Sequence, residues 1–182
     1  MTSTLSSTHP DIIEFMSLAS AELASGNILL DASQPKDIFQ FGGTSSQLAD
    51  ARLQLAIQGR KTATTSWPVP EPLHWGVGDY SVILDGSRRP GALMKTTELK
   101  ICKFKDVADD FALAEAEGSV DEYKQGHRDF YAEQRRREGK PRDEFSDESE
   151  VLCERFVVVF VRQDLRQDAN RVPKPPATEG QL

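Results

Sequence analysis

The chain has 182 residues, of which 38% are hydrophobic, and a formal net charge of −7. That length and apolar share suffice for one globular core, and the acidic balance excludes a protein that coats duplex nucleic acid through a uniformly basic surface. Cys102 and Cys153 stand far apart, which is neither a disulfide framework nor a metal-knuckle spacing. Both are expected as reduced thiols, and nothing in the sequence calls for a metal or another cofactor. No charged leader with an apolar run opens the chain, and no stretch approaches the length of a membrane helix. The expectation is a soluble, cytoplasmic protein with no membrane partner.

Residues 1–37 read as an N-terminal extension with one helix. Pro10 suits a first helical turn, and Ile12, Phe15, Met16, Ala19 and Leu23 recur at helical spacing until Gly26. A second helix is expected from Thr44, where Thr44 and Gln47 have capping-box spacing. Leu48, Ala51 and Leu55 would form its apolar face, and Gly59 its left-handed stop. "WPVPEPLHWG" holds too much proline for regular structure. "DYSVILDG", "GALMKTTELKIC" and "CERFVVVFV" read as strands. Between the last two lie a short helix over Val107 to Glu117, a break at Gly118, and a capping box at Ser119 and Glu122. The helix that follows carries Tyr123, His127 and Phe130 and ends in "RRREGKPRDE". Residues 163–182 have little to bury and read as a disordered tail. Mixed strands with helical insertions and no βαβ rhythm predict an α+β fold with a curved or closed sheet.

The chemistry concentrates in "LAIQGRKTATTSW". It is not a P-loop: no glycine directly precedes Lys61, and Gly59 ends a helix where a P-loop glycine would open one. Lys61 and Thr64 share a face on a helix but not on a strand, so a bent backbone is needed for both to line one pocket. Spacing alone leaves a plainer alternative, a loop whose hydroxyls satisfy their own backbone. Glu115 and Glu117 diverge on a helix, so at most one faces a pocket unless the helix ends there. His127 on an aromatic helical face reads first as structural. The three arginines at 135–137 read most simply as a solvated helix end, with an RNA-backbone contact as the alternative. Trp67 and Trp75 either stack on a base or cover a small core.

Taken in order, "FGGTSSQLADARLQLAIQGRKTATTSW", "VGDYSVILDG", "ALAEAEGS", "HRDFY" and "VLCERFVVVF" resemble the ASCH domain family. The strongest signature is the G-[RK]-K-T-x-T run at Gly59 to Thr64. The resemblance places an ASCH domain at residues 38–162 and implies a PUA-like small β-barrel with flanking helices. Family members include RNA-binding modules, amidohydrolases that deacetylate N4-acetylcytidine, and a reported ribonuclease. By the amidohydrolase pattern Lys61, Thr64 and Glu117 are the catalytic set. Arg60, Thr62, Trp67, Glu115, Tyr123 and His127 are then candidate substrate contacts. The implied partner is a small-molecule nucleoside or single-stranded RNA. On that view Lys61, desolvated in a dry cleft, takes the proton of Thr64, and backbone N–H groups after Gly59 hold the oxyanion. The chain departs from the family at Ser119, where an acidic residue is usual, at Tyr123 and Lys124 in place of Trp-Arg, and at Gly43 in place of Asp.

Overall fold

In the computed structural model, which describes residues 5–26, 30 and 35–169, helix α1 spans Pro10–Ser25. Pro10 sits in its first turn, and the His9 side chain accepts a hydrogen bond from the Asp11 amide. Its buried stripe is the expected Ile12, Phe15, Met16, Ala19 and Leu23. These side chains pack on Ile38, Tyr80, Val82, Leu84, Leu93 and Phe160. The N-terminal helix therefore covers the sheet and shares its core with the rest of the domain.

Five strands form one sheet: β1 (Asp37–Gln40), β2 (Ala63–Ser66), β3 (Tyr80–Leu84), β4 (Pro90–Lys103) and β5 (Glu150–Val161). Their order is β1-β3-β4-β5-β2. The β1–β3 pair is parallel and the other pairs are antiparallel. Register shifts at Leu93/Met94 and Thr96/Glu98 interrupt the long β4–β5 ladder, and such bulges bend a strand and increase its twist. The expected α+β fold is present as a strongly curled half-barrel with flanking helices. β1 and β2 are its two edges.

Helix α2 spans Ser46–Ile57 and is capped by Ser45, whose hydroxyl accepts from the Leu48 amide. Its buried face is Ala49, Leu53 and Ala56, not the expected Leu48, Ala51 and Leu55. Both triplets have helical spacing, and only the packing against Phe41, Ile83 and Phe156 decides between them. Thr44 lies outside the helix and accepts a hydrogen bond from Arg137. Gly59 has φ +69°. The Gly59 amide donates to Ala56 O and the Arg60 amide to Leu55 O, a Schellman closure that turns the chain sharply into β2.

Helix α3 is shorter than expected, Asp109–Ala114, and follows a 3-10 turn at Phe104–Asp106. Helix α4, Val120–Arg137, carries the expected Ser119–Glu122 capping box. Its buried stripe is Tyr123, His127, Tyr131 and Arg135. The three arginines do not form a simple solvated end. Arg135 is buried, stacks 4.5 Å from the Trp67 ring centroid, and pairs with Glu138 and Glu144. At Gln163–Ala169, where disorder was expected, helix α5 forms, and Leu165 packs against the core under α2. The rest of that expected tail lies outside the described residues. Among those residues no helix is long and apolar enough to cross a membrane.

Candidate functional site

The end of α2, the start of β2, the turn after α3 and one face of α4 converge on a cavity of about 250 Å³. Lys61 enters it directly after the Schellman turn. Its side chain is 1% exposed, and Nζ donates to Glu115 Oε2 at 2.9 Å and to Glu115 O at 3.2 Å. Glu117 Oε1 lies 3.6 Å from the same nitrogen and pairs with Arg52 at 2.8 Å. Both carboxylates face Lys61 because α3 ends at Ala114 and Ala116 takes a left-handed φ of +56°. This local ending is what allows two glutamates two positions apart to meet one cation.

Thr65 is tied to the same cluster. Its hydroxyl donates to Glu115 Oε1 at 2.5 Å, and 2.7 Å separates it from Tyr123 OH. The one Thr65 proton goes to the carboxylate, so the phenol donates to Thr65. Burial, with Glu115 next, pushes the Tyr123 phenol far up, which keeps it a donor. His127 Nδ1 contacts Tyr123 O at 2.9 Å, and Nε2 faces Glu115 Oε1 at 3.7 Å. Burial alone would push Glu115 up, but the charges of Lys61 and His127 and hydrogen bonds from Lys61 and Thr65 hold it below the ordinary carboxylate range.

Lys61, Thr64, Glu115, Glu117 and His127 all line the cavity, together with Thr65, Arg52, Trp75 and Glu154. Lys61 lies in the bend before β2 and Thr64 on the strand itself, which is the bent backbone that spacing required. Thr64 Oγ1 has no hydrogen-bond partner among the described residues. Arg60, Thr62, Trp67 and Tyr123 are not part of the lining. Arg60 is exposed at the Schellman turn, and the Thr62 amide is occupied by Ala114 O. Trp67 packs edge-on against Tyr131 and Phe145, because it continues the Ala63–Thr65 side of β2 toward the aromatic core. Tyr123 reaches the site through Thr65 and His127. The Arg60 and Lys61 amides both point at Leu55 O, so the backbone after Gly59 cannot supply the expected oxyanion donors.

Two of the departures from the family pattern, Ser119 and Gly43, have local explanations. Ser119 caps α4, accepting from the Glu122 amide while its own amide donates to Glu122 Oε2. Gly43 has φ +64°, and a Cβ there would press on Phe130 at 3.2 Å. Glu115, Glu117 and His127 present ligand atoms within 4.8 Å of one another and are the residues that could hold a metal. The Lys61 ammonium already bonds Glu115 and faces Glu117, so a cation there would have to displace it.

Sequence reasoning missed Arg52 and Glu154 and gave Thr65 no role. Arg52 sits on the polar side of a helix, where an arginine is unremarkable. Glu154 becomes visible only through the β2–β5 register, which sets it directly opposite Thr64.

A curled five-strand half-barrel with flanking helices, here with a cavity lined from both edge strands, belongs to the PUA-like superfamily. The model of the ASCH domain family matches residues 37–160, and the chain belongs to that family. A crystal structure of an Enterococcus faecalis V583 protein of family DUF984 superposes with a TM-score of 0.67 at 27% identity, covering 82% of this chain and 94% of that one. A crystal structure of an ASCH domain from Lactobacillus crispatus JV V101 gives 0.65 at 22% identity, covering 80% and 92%. Among curated proteins none matches the chain.

Proposed function

We propose that the protein is an amidohydrolase acting on N4-acetylcytidine or a related acylated nucleoside. The observation that carries this reading is the pairing, inside one small cavity, of a fully buried Lys61–Glu115 ion pair with the unpartnered Thr64 hydroxyl. At about 250 Å³ the cavity falls just below the range of ligand pockets, which starts at about 300 Å³, and so suits one base or nucleoside. Its lining carboxylates, Asp37, Glu115, Glu117 and Glu154, oppose entry of a long polyanion.

In this chemistry Thr64 Oγ attacks the acyl carbon. Lys61 acts here as the cation of its ion pair with Glu115 at 2.9 Å, with Glu117 at 3.6 Å, in place of the expected proton acceptor. Its contact with Glu117 exceeds hydrogen-bond range, which leaves an N–H to stabilise charge developing on the acyl oxygen. Glu117 and Arg52 hold Lys61 in that position.

Purified protein incubated with N4-acetylcytidine tests the reading by the absorbance change as cytidine forms. Turnover that falls at least hundredfold in Lys61→Ala is expected, and no turnover at high protein concentration rules out that substrate. A second reading, binding of single-stranded RNA with or without cleavage, is supported by exposed Arg60 beside the site and by the nucleic-acid binding general to ASCH domains. It predicts salt-sensitive RNA affinity that drops in Arg60→Glu. Affinity indifferent to both removes it.

A further inference from the structure

An ammonium that stabilises the acyl oxygen cannot also take the Thr64 proton, so another group must. Glu115 is bonded to Lys61 and Thr65 and held low. Glu117 pairs with Arg52 and faces Lys61. His127 is oriented by its Nδ1 contact to Tyr123 O, with Nε2 turned to Glu115. Asp37 lines the cavity from β1, which pairs with β3 and not with β2, and its Oδ1 accepts from the Ile38 amide.

Glu154 differs from all of these. Thr64 and Glu154 are register partners on antiparallel β2 and β5, so their side chains leave the same face with Cβ atoms about 5 Å apart. Both line the cavity. Glu154 is 5% exposed and has no cationic partner among the described residues. Its Oε1 accepts from Thr96 Oγ1 at 2.6 Å, whereas Oε2 holds no full hydrogen bond. The buried Trp75 indole N–H also lacks a partner. It shares the cavity lining with Glu154. Burial raises the Glu154 carboxyl, Thr96 and Trp75 draw it partly back, and Asp37 adds to the rise. A carboxylate moved toward neutrality is better matched to accepting and returning a proton than one held low.

Building on the amidohydrolase reading, we propose that Glu154 is the proton acceptor for Thr64. As Thr64 Oγ bonds to the acyl carbon, its proton passes to Glu154. The C–N bond to the base breaks and the same proton moves to that nitrogen, leaving an acyl ester on Thr64 and a free amine. Water then repeats the sequence. Its proton goes to Glu154, its oxygen bonds to the acyl carbon, the ester C–O bond breaks, and the proton returns to Thr64 Oγ. Glu154 ends each half-reaction as a carboxylate, and no other reactant is consumed.

The test compares wild type with Glu154→Gln, which keeps the shape and can still accept from Thr96, by two readouts. The first is the pH–rate profile for N4-acetylcytidine. The second is acetylation of Thr64 by p-nitrophenyl acetate, read by peptide mass. Glu154→Gln is expected to lower kcat at least hundredfold and to remove the acidic limb of the profile. Cytidine affinity should stay within about threefold, since the base role requires a kcat effect. Thr96→Val, which takes away the hydroxyl that draws the Glu154 carboxyl down, should shift the acidic limb to higher pH. Glu154→Gln that turns over and acetylates at the wild-type rate with its acidic limb intact overturns the role. Glu154-dependent acetylation of Thr64 without nucleoside turnover refutes the nucleoside substrate alone and upholds Glu154. A wild type that does neither overturns both.

Discussion

Lys61→Met isolates the electrostatics of the site from its chemistry. The substitution keeps a side chain of similar length and removes the charge. Glu115, 1% exposed, is left buried without the cation that bonds its Oε2. Breaking a buried pair by removing one partner costs about 3–5 kcal/mol, a large share of the about 5–15 kcal/mol that holds an ordinary domain folded. The pH dependence has a defined sign. In the wild type the folded Glu115 carboxyl lies below its unfolded value. It therefore adds stability above the unfolded value, lost as pH falls through the folded one. Without Lys61 the burial effect dominates and the folded value moves above the unfolded one. The variant's deficit is then greatest at neutral pH and shrinks toward an ordinary glutamate value near about 4.3. Urea unfolding at neutral and mildly acidic pH measures it. Adding Glu115→Gln should recover most of the loss at neutral pH. A deficit below about 1 kcal/mol, or one that neither acid nor Glu115→Gln relieves, would refute the claim that Glu115 depends on Lys61 for its charge.

Gly126 lies on α4 and lines the cavity, and a Cβ there meets nothing within 4 Å. Gly126→Ala should raise stability by up to about 1 kcal/mol and leave nucleoside binding unchanged. Gly126→Leu should fill the cavity and abolish binding while the protein stays folded, which calorimetric titration with cytidine checks. Ser119→Ala removes the α4 cap and should cost about 1 kcal/mol in denaturant unfolding without changing cytidine affinity. Arg135→Ala should cost about 2 kcal/mol, since it strips a buried guanidinium from the Trp67 face. A cost near zero would mean that the stacking contributes nothing.

The elements were largely legible because their signals are local. The apolar stripe of α1, the glycine stop of α2 and the capping box of α4 each need only a few neighbouring residues. The α2 face was misread because two triplets fit the same period, and the choice between them rests on Phe41, Ile83 and Phe156, distant in sequence. The site was legible in part. The motif at Gly59 to Thr64 and the segment at Glu115 to Glu117 do meet, but the sequence could not assign Glu115 as the ion-pair partner at 2.9 Å. That outcome depends on the left-handed turn at Ala116, a conformation an alanine does not announce. Arg60 and Trp67 looked like ligand contacts because one lies within the motif and the other just beyond it, yet the Schellman turn and strand alternation direct them away. Glu154 sits in a run of strand-forming residues, and a register is not written in one strand alone.

The central claim is that Thr64 carries the reaction inside a cavity that Lys61 and Glu115 organise. Single-turnover conversion of N4-acetylcytidine to cytidine by wild type and by Thr64→Val, with cytidine affinity measured on both, tests it most directly. The account predicts cytidine release by wild type, none by Thr64→Val, and equal cytidine affinity. Release by Thr64→Val at the wild-type rate would contradict it.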